Sequence, residues 1–122
     1  MPSKSDIIRN CFAAYQTRDR ALIEGLISED FRFTSPYDDE IDRASYFERC
    51  WPNSERIRSF DIERIFEQAE GAFVTYKCVT RDGTEFRNTE FFRFEADQIS
   101  HVDVYFGASY KGGVFIKERW NG

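Results

Sequence analysis

The chain contains a single histidine, His101, and three widely separated cysteines, Cys11, Cys50 and Cys78, with no Cys-x-x-Cys pair. A structural zinc site needs four nitrogen or sulfur ligands at close spacing, so no metal is expected, and the thiols read as free groups in a reducing compartment. No apolar run reaches the length of a membrane span, and Met1-Pro-Ser-Lys-Ser-Asp6 lacks the apolar core of a leader, which predicts a cytoplasmic protein. Basic side chains are outnumbered 17 to 22, giving a net charge of −5, and they form no stripe. Such a surface repels phosphate backbones and anionic lipids, so neither nucleic acid nor membrane is an expected partner. No Gly-rich loop follows a strand, so no nucleotide or flavin is expected and no cofactor is assigned. With three prolines, seven glycines and no low-complexity tract, nothing divides the chain, and 122 residues read as one domain, 1–122.

What the chain has in quantity is aromatic bulk: thirteen Phe, six Tyr and two Trp. Rings fill a core, but a mostly aromatic filling packs with difficulty without voids, so some of them are expected to line a cavity.

The periodicity changes halfway along. Ser3 and Asp6 form a capping box, after which Ile7, Ile8, Cys11, Phe12 and Tyr15 recur at helical spacing. Asp19 caps a second helix with Leu22, Ile23, Leu26 and Ile27 on one stripe. Phe31 to Ser35 alternates as a strand that Pro36 closes. Asp42 caps a third helix carrying Ala44, Phe47, Cys50 and Trp51, and Pro52 stops it. Strands follow over Ile57–Gln68, Ala72–Thr80, Glu85–Glu95 and Ile99–Phe106. Asp82-Gly83 supplies a tight hairpin turn, and Gly107 is read as the end of the last strand. The tail with Val114, Phe115, Ile116 and Trp120 is too apolar for water and is expected to pack over the sheet or against a second subunit. Helices first and an antiparallel meander after give an α+β class, three N-terminal helices covering one face of a strongly curved sheet.

In this order the chain resembles the nuclear-transport-factor-2-like superfamily, in its SnoaL-like and ketosteroid-isomerase-like branch. The landmarks are Leu26-Ile-Ser-Glu-Asp-Phe-Arg-Phe-Thr-Ser-Pro36, Glu90-Phe-Phe-Arg-Phe94 and Val102-Asp-Val-Tyr-Phe-Gly107. The resemblance implies a cone with a deep pocket between sheet and helices, and a dimer through the outer sheet face. It also implies a catalytic tyrosine, an aspartate before a proline and a second acid, which fall here at Cys11, Ser35 and Glu90. A serine cannot take up a proton as a carboxylate does, and a thiol replaces a phenol poorly, so ketosteroid isomerase activity is not expected.

Alternation places Phe86, Asn88, Glu90, Phe92 and Phe94 on one apolar face, so Glu90 is the candidate general acid or base, with a raised pKa. Tyr15, Ser35, Trp51, Tyr76, Asn88, Phe92, Val102 and Val104 are the candidate substrate-binding residues, with Phe33 and Cys78 on the same wall. Tyr15, Tyr37, Tyr46 and Tyr76 each carry a hydroxyl that could face the cavity, and Tyr15 is preferred because it continues the Ile8, Phe12 stripe. Asp38, Asp39 and Asp42 read as a solvated turn with a helix cap, and as a cation site only secondarily. On the last strand, inward Val102 and Val104 leave His101, Asp103 and Tyr105 outward; the family's final-strand acid would correspond to Asp103, which conflicts with that assignment. With Phe73, Val79 and Phe91, these outward residues are the expected homodimer face. The expected ligand is a small apolar, carbonyl-bearing or cyclic molecule, handled by isomerase, cyclase or hydrolase-type chemistry. Two alternatives stay open: a ligand-binding module without turnover, and a dimeric protein-interaction module.

Overall fold

The computed structural model describes residues 2–117. Helix α1 (Lys4–Thr17) opens on the expected capping box: the Ser3 hydroxyl accepts from the Asp6 amide, and the Asp6 carboxylate accepts from the Ser3 amide. It buries Ile7, Ile8, Cys11, Phe12 and Ala14. Helix α2 (Arg20–Leu26), capped by Asp19, buries Ile23 alone, and Leu22 stays 37% exposed. Helix α3 (Arg43–Arg49) is capped by Asp42, whose carboxylate accepts from the Ser45 amide at 2.9 Å. It ends before Cys50, and Trp51 and Pro52 belong to a following 3₁₀ turn, Trp51–Arg56. The buried face of α3 is Tyr46 and Phe47, while Ala44 is exposed, a correction to the expected stripe.

Seven strands follow the order β2-β1-β6-β5-β4-β3, with β7 pairing β6 beyond that path. They are β1 (Ile27–Ser35), β2 (Asp38–Asp42), β3 (Ile57–Glu67), β4 (Gly71–Thr80), β5 (Thr84–Glu95), β6 (Gln98–Lys111) and β7 (Val114–Ile116). The hairpins β3–β4–β5–β6 are antiparallel as expected. Strand β1 begins four residues earlier than its alternation suggested and pairs with β6 in parallel, Phe33 opposite Val102. Strand β2 was not expected, and it folds back on β1 through Pro36 and Tyr37.

Gly107 does not end the last strand. Pairing slips by one residue between Phe86 and Asn88, and a Cβ on Gly107 would lie 2.4 Å from the Arg87 carbonyl oxygen. The glycine lets two backbones approach at this bulge while β6 runs on to Lys111. The described part of the tail does not fold over the sheet: β7 forms a short hairpin with β6, and Val114 and Phe115 remain exposed. Trp120 lies outside the described residues. No described helix is long and apolar enough to cross a membrane.

The helices and the inner sheet face enclose one core, with Phe31, Phe92, Ile8, Ile23, Ile99, Val74 and Cys78 fully buried. Phe12 of α1 is its hub, its ring set edge-on to Phe60 at 4.9 Å and to Tyr76 at 4.7 Å. These edge-to-face contacts pack rings against the sheet in specific orientations.

Candidate functional site

Strand β5 supplies the centre of the site because its side chains alternate and only one of its faces is roofed by helices. Asn88 and Phe92 are buried, and Phe86, Glu90 and Phe94 share their face. Glu90 sits between Val74 of β4 and Val104 of β6, and Tyr76 stands one diagonal step away, opposite Asn88. The Tyr76 hydroxyl donates to Glu90 Oε2 at 2.5 Å, and Asn88 Nδ2 donates to the Tyr76 oxygen at 3.2 Å. Asn88, Tyr76 and Glu90 thus form one directional chain ending on the carboxyl group.

Glu90 keeps part of its surface accessible, yet protein surrounds it closely enough for desolvation to push its pKa from 4.5 to about 7. The Tyr76 bond opposes the rise without cancelling it, because burial penalises the charged form more than one hydrogen bond favours it. A second polar pair stands across the interior: the hydroxyls of Tyr15 on α1 and Tyr46 on α3 are hydrogen-bonded to each other. Burial raises both phenols well above their usual range, and the Glu90 charge adds to the rise in each. The thiols of Cys11, Cys50 and Cys78 feel the same charge, and burial is the larger cause in all three, with Cys50 and Cys78 pushed up to about 12. The charge of Glu90 therefore reaches the thiols of Cys11, Cys50 and Cys78 and the phenols of Tyr15, Tyr46 and Tyr76 alike.

The remaining sequence-derived residues fall as follows. Trp51 packs edge-on to Tyr15 at 4.9 Å. Val102 is buried, and Val104 and Phe33 pack partly buried against the core. Ser35 is taken up by the β1–β2 turn, where its hydroxyl donates to Asp38 at 3.0 Å and accepts from the Tyr37 amide. Tyr37 is exposed and rests near Phe106. Asp38 is not part of a solvated turn: it opens β2, its side chain is only 8% accessible, and Arg49 Nε lies 2.7 Å from it. Two open depressions lie on the surface, one bounded by Arg20, Arg43 and Phe47 and one by Arg9, Phe12 and Phe60, and Glu90 lines neither. Among the described residues, no group of three or more His, Cys, Asp or Glu is placed to hold a metal.

Of the four tyrosines whose hydroxyls could face the cavity, Tyr46 is the one that the structure pairs with the preferred Tyr15. On α3 the covered face holds the expected Phe47 together with Tyr46 in place of Ala44, and Cys50 follows at the helix end.

The sequence matches the model of the SnoaL-like domain over residues 8–102. No curated protein matches it in sequence. Solved structures share the fold. IdmH from Streptomyces antibioticus, assigned as a polyketide cyclase, has a TM-score of 0.75 at 14% identity, covering 86% of this chain and 92% of its own. A protein from Kribbella flavida assigned as a ketosteroid isomerase has a TM-score of 0.73 at 18% identity, covering 98% and 90%. An NTF2-like protein of unknown function from Cytophaga hutchinsonii has a TM-score of 0.72 at 17% identity, covering 87% and 91%. With the matched segment running from α1 into the first part of β6, the chain belongs to the SnoaL-like domain family.

Proposed function

We propose that the protein is a small-molecule enzyme of the SnoaL-like kind, in which Glu90 transfers a proton to or from an apolar, carbonyl-bearing or cyclic substrate. The observation that carries this reading is the Glu90 carboxyl itself, held on the roofed face by Tyr76 at 2.5 Å with a pKa of about 7. A group titrating near neutrality is populated in both protonation states and can serve as acid or base without a large driving-force penalty. The Tyr15–Tyr46 pair adds a donor: two hydroxyls share one bond, and neither bonds another described group, which leaves one O–H free to hold a carbonyl oxygen. Trp51, Phe92, Val102 and Val104 supply apolar walls. Glu90→Gln keeps the shape and removes the titrating proton. It is expected to lower turnover on the order of a hundredfold or more with the fold intact. Turnover equal to that of the unaltered protein would end this reading and leave a binding module in its place.

The same reading includes a homodimer through the outer sheet face. The tilted rings of Phe73 and Phe91 pack there with centroids 4.7 Å apart, Thr75 bonds Thr89 at 2.9 Å, and Tyr105 lies beside Thr89 with 58% of its surface exposed. An apolar and hydroxyl-bearing strip of this kind is covered in a self-complementary pair. Sedimentation at micromolar concentration should give twice the 14.4 kDa chain mass, and Phe91→Asp should return it to the monomer.

A further inference from the structure

Glu90 accepts its one hydrogen bond through Oε2; among the described residues nothing bonds Oε1, and no Lys, Arg or His pairs with either oxygen. The titratable groups around it are Cys11 and Tyr15 from α1, Tyr46 from α3, Cys50 at the end of α3, and Tyr76 and Cys78 from β4. Its neighbour on β6 is Val104. Burial holds every one of those phenols and thiols uncharged at neutral pH. An ionised Glu90 thus faces an interior with no counter-charge, a costly state unless something from outside supplies one. The surroundings favour a particular kind of supply. Rings concentrate on this side of the sheet, Tyr76 bonded to the carboxylate, Phe12 edge-on to Tyr76, and Trp51 edge-on to Tyr15. Aromatic faces carry partial negative charge and attract alkylated ammonium groups, most strongly where water is excluded.

Resting on the reading of Glu90 as part of a ligand-binding wall, we infer that the ligand carries a cationic nitrogen, an ammonium or quaternary amine on an apolar body, seated against Glu90 Oε1 and the rings of Tyr15, Trp51 and Tyr76. A neutral ligand would leave the carboxylate unpaired, and an anionic one would add repulsion. The net charge of −5 acts in the same direction by drawing cations toward the protein.

The test uses two probes of one shape, choline and its uncharged isostere 3,3-dimethylbutan-1-ol, with binding read by Trp fluorescence and by the Glu90 carboxyl ¹³C resonance. Neither probe titrates in the working range, so any pH effect belongs to the protein. Choline should bind about tenfold more tightly at pH 8 than at pH 6, because a group of pKa about 7 passes from about one-tenth to about nine-tenths ionised. The alcohol should bind more weakly, with no such rise. Glu90→Gln, checked for folding by circular dichroism, should lose both the preference for choline and its pH dependence. Equal binding of the two probes at pH 8, or choline binding untouched by Glu90→Gln, would overturn the inference. If the alcohol alone binds and moves the Glu90 resonance, the cation is wrong while the proposed function stands. If neither probe moves it, both are wrong.

Discussion

Phe91 and Phe92 are neighbours on β5, identical in chemistry and strand propensity, yet they live in different worlds. Phe92 is 1% exposed, beneath α1 and near Phe12, whereas Phe91 keeps part of its ring accessible beside an exposed Phe73. The acids on the strand divide the same way. Glu90 is desolvated on the roofed face, while Glu85 and Glu95 lie on the open one. What differs is the layer above. A residue's position in the two-residue alternation selects the face, and the helices decide what that face costs a charge and gives a ring. The roofed face can therefore hold a perturbed acid, and the open face leaves its rings partly accessible.

The largest effect that would sharpen this contrast is on stability. Phe92→Ala should cost about 3–5 kcal/mol in urea unfolding, since it opens a void among fully packed side chains. Phe91→Ala should cost about 1 kcal/mol or less, measured at a concentration low enough to keep the protein monomeric. Similar losses at both positions would break the contrast between the faces.

A somewhat smaller effect should appear in the pH dependence of stability. The folded-state pKa of Glu90, about 7, lies above its ordinary value of 4.5, so between these pH values the folded chain holds a proton that the unfolded chain releases. The contribution is complete below pH 4.5 and is lost as pH rises through 7. Glu90→Gln abolishes that loss. Relative to the unaltered protein, the variant should gain on the order of 3 kcal/mol between pH 4 and pH 8, measured by urea unfolding across the range. Parallel curves for the two proteins would place Glu90 in water.

Much of this arrangement was legible in the sequence because it is written in local periods. Alternation along β5 put Asn88, Glu90 and Phe92 together, and the capping residues Ser3, Asp19 and Asp42 located three helix starts. What escaped was non-local or disguised. The parallel pairing of β1 with β6 joins segments some seventy residues apart, and no local pattern encodes such a register. Strand β2 reads Asp-Asp-Glu-Ile-Asp, a polar edge with Glu40 at positive φ, which carries the signature of a loop. Gly107 carried the signature of a stop but serves as a point of close approach inside a bulge. At the site, the Glu90 side of the interior followed from strand alternation. The Tyr15–Tyr46 pair did not, because it depends on how α3 is rotated against α1.

The most direct measurement is a ¹³C titration of the Glu90 carboxyl in the unliganded protein, assigned by loss of its resonance in Glu90→Gln. A midpoint near pH 7 is the result this account predicts, with the Tyr76 hydroxyl resonance shifting in step through the bond they share. A midpoint near the ordinary 4.5 would mean a solvated side chain, and it would contradict the assignment of Glu90 as the proton-transferring group of this fold.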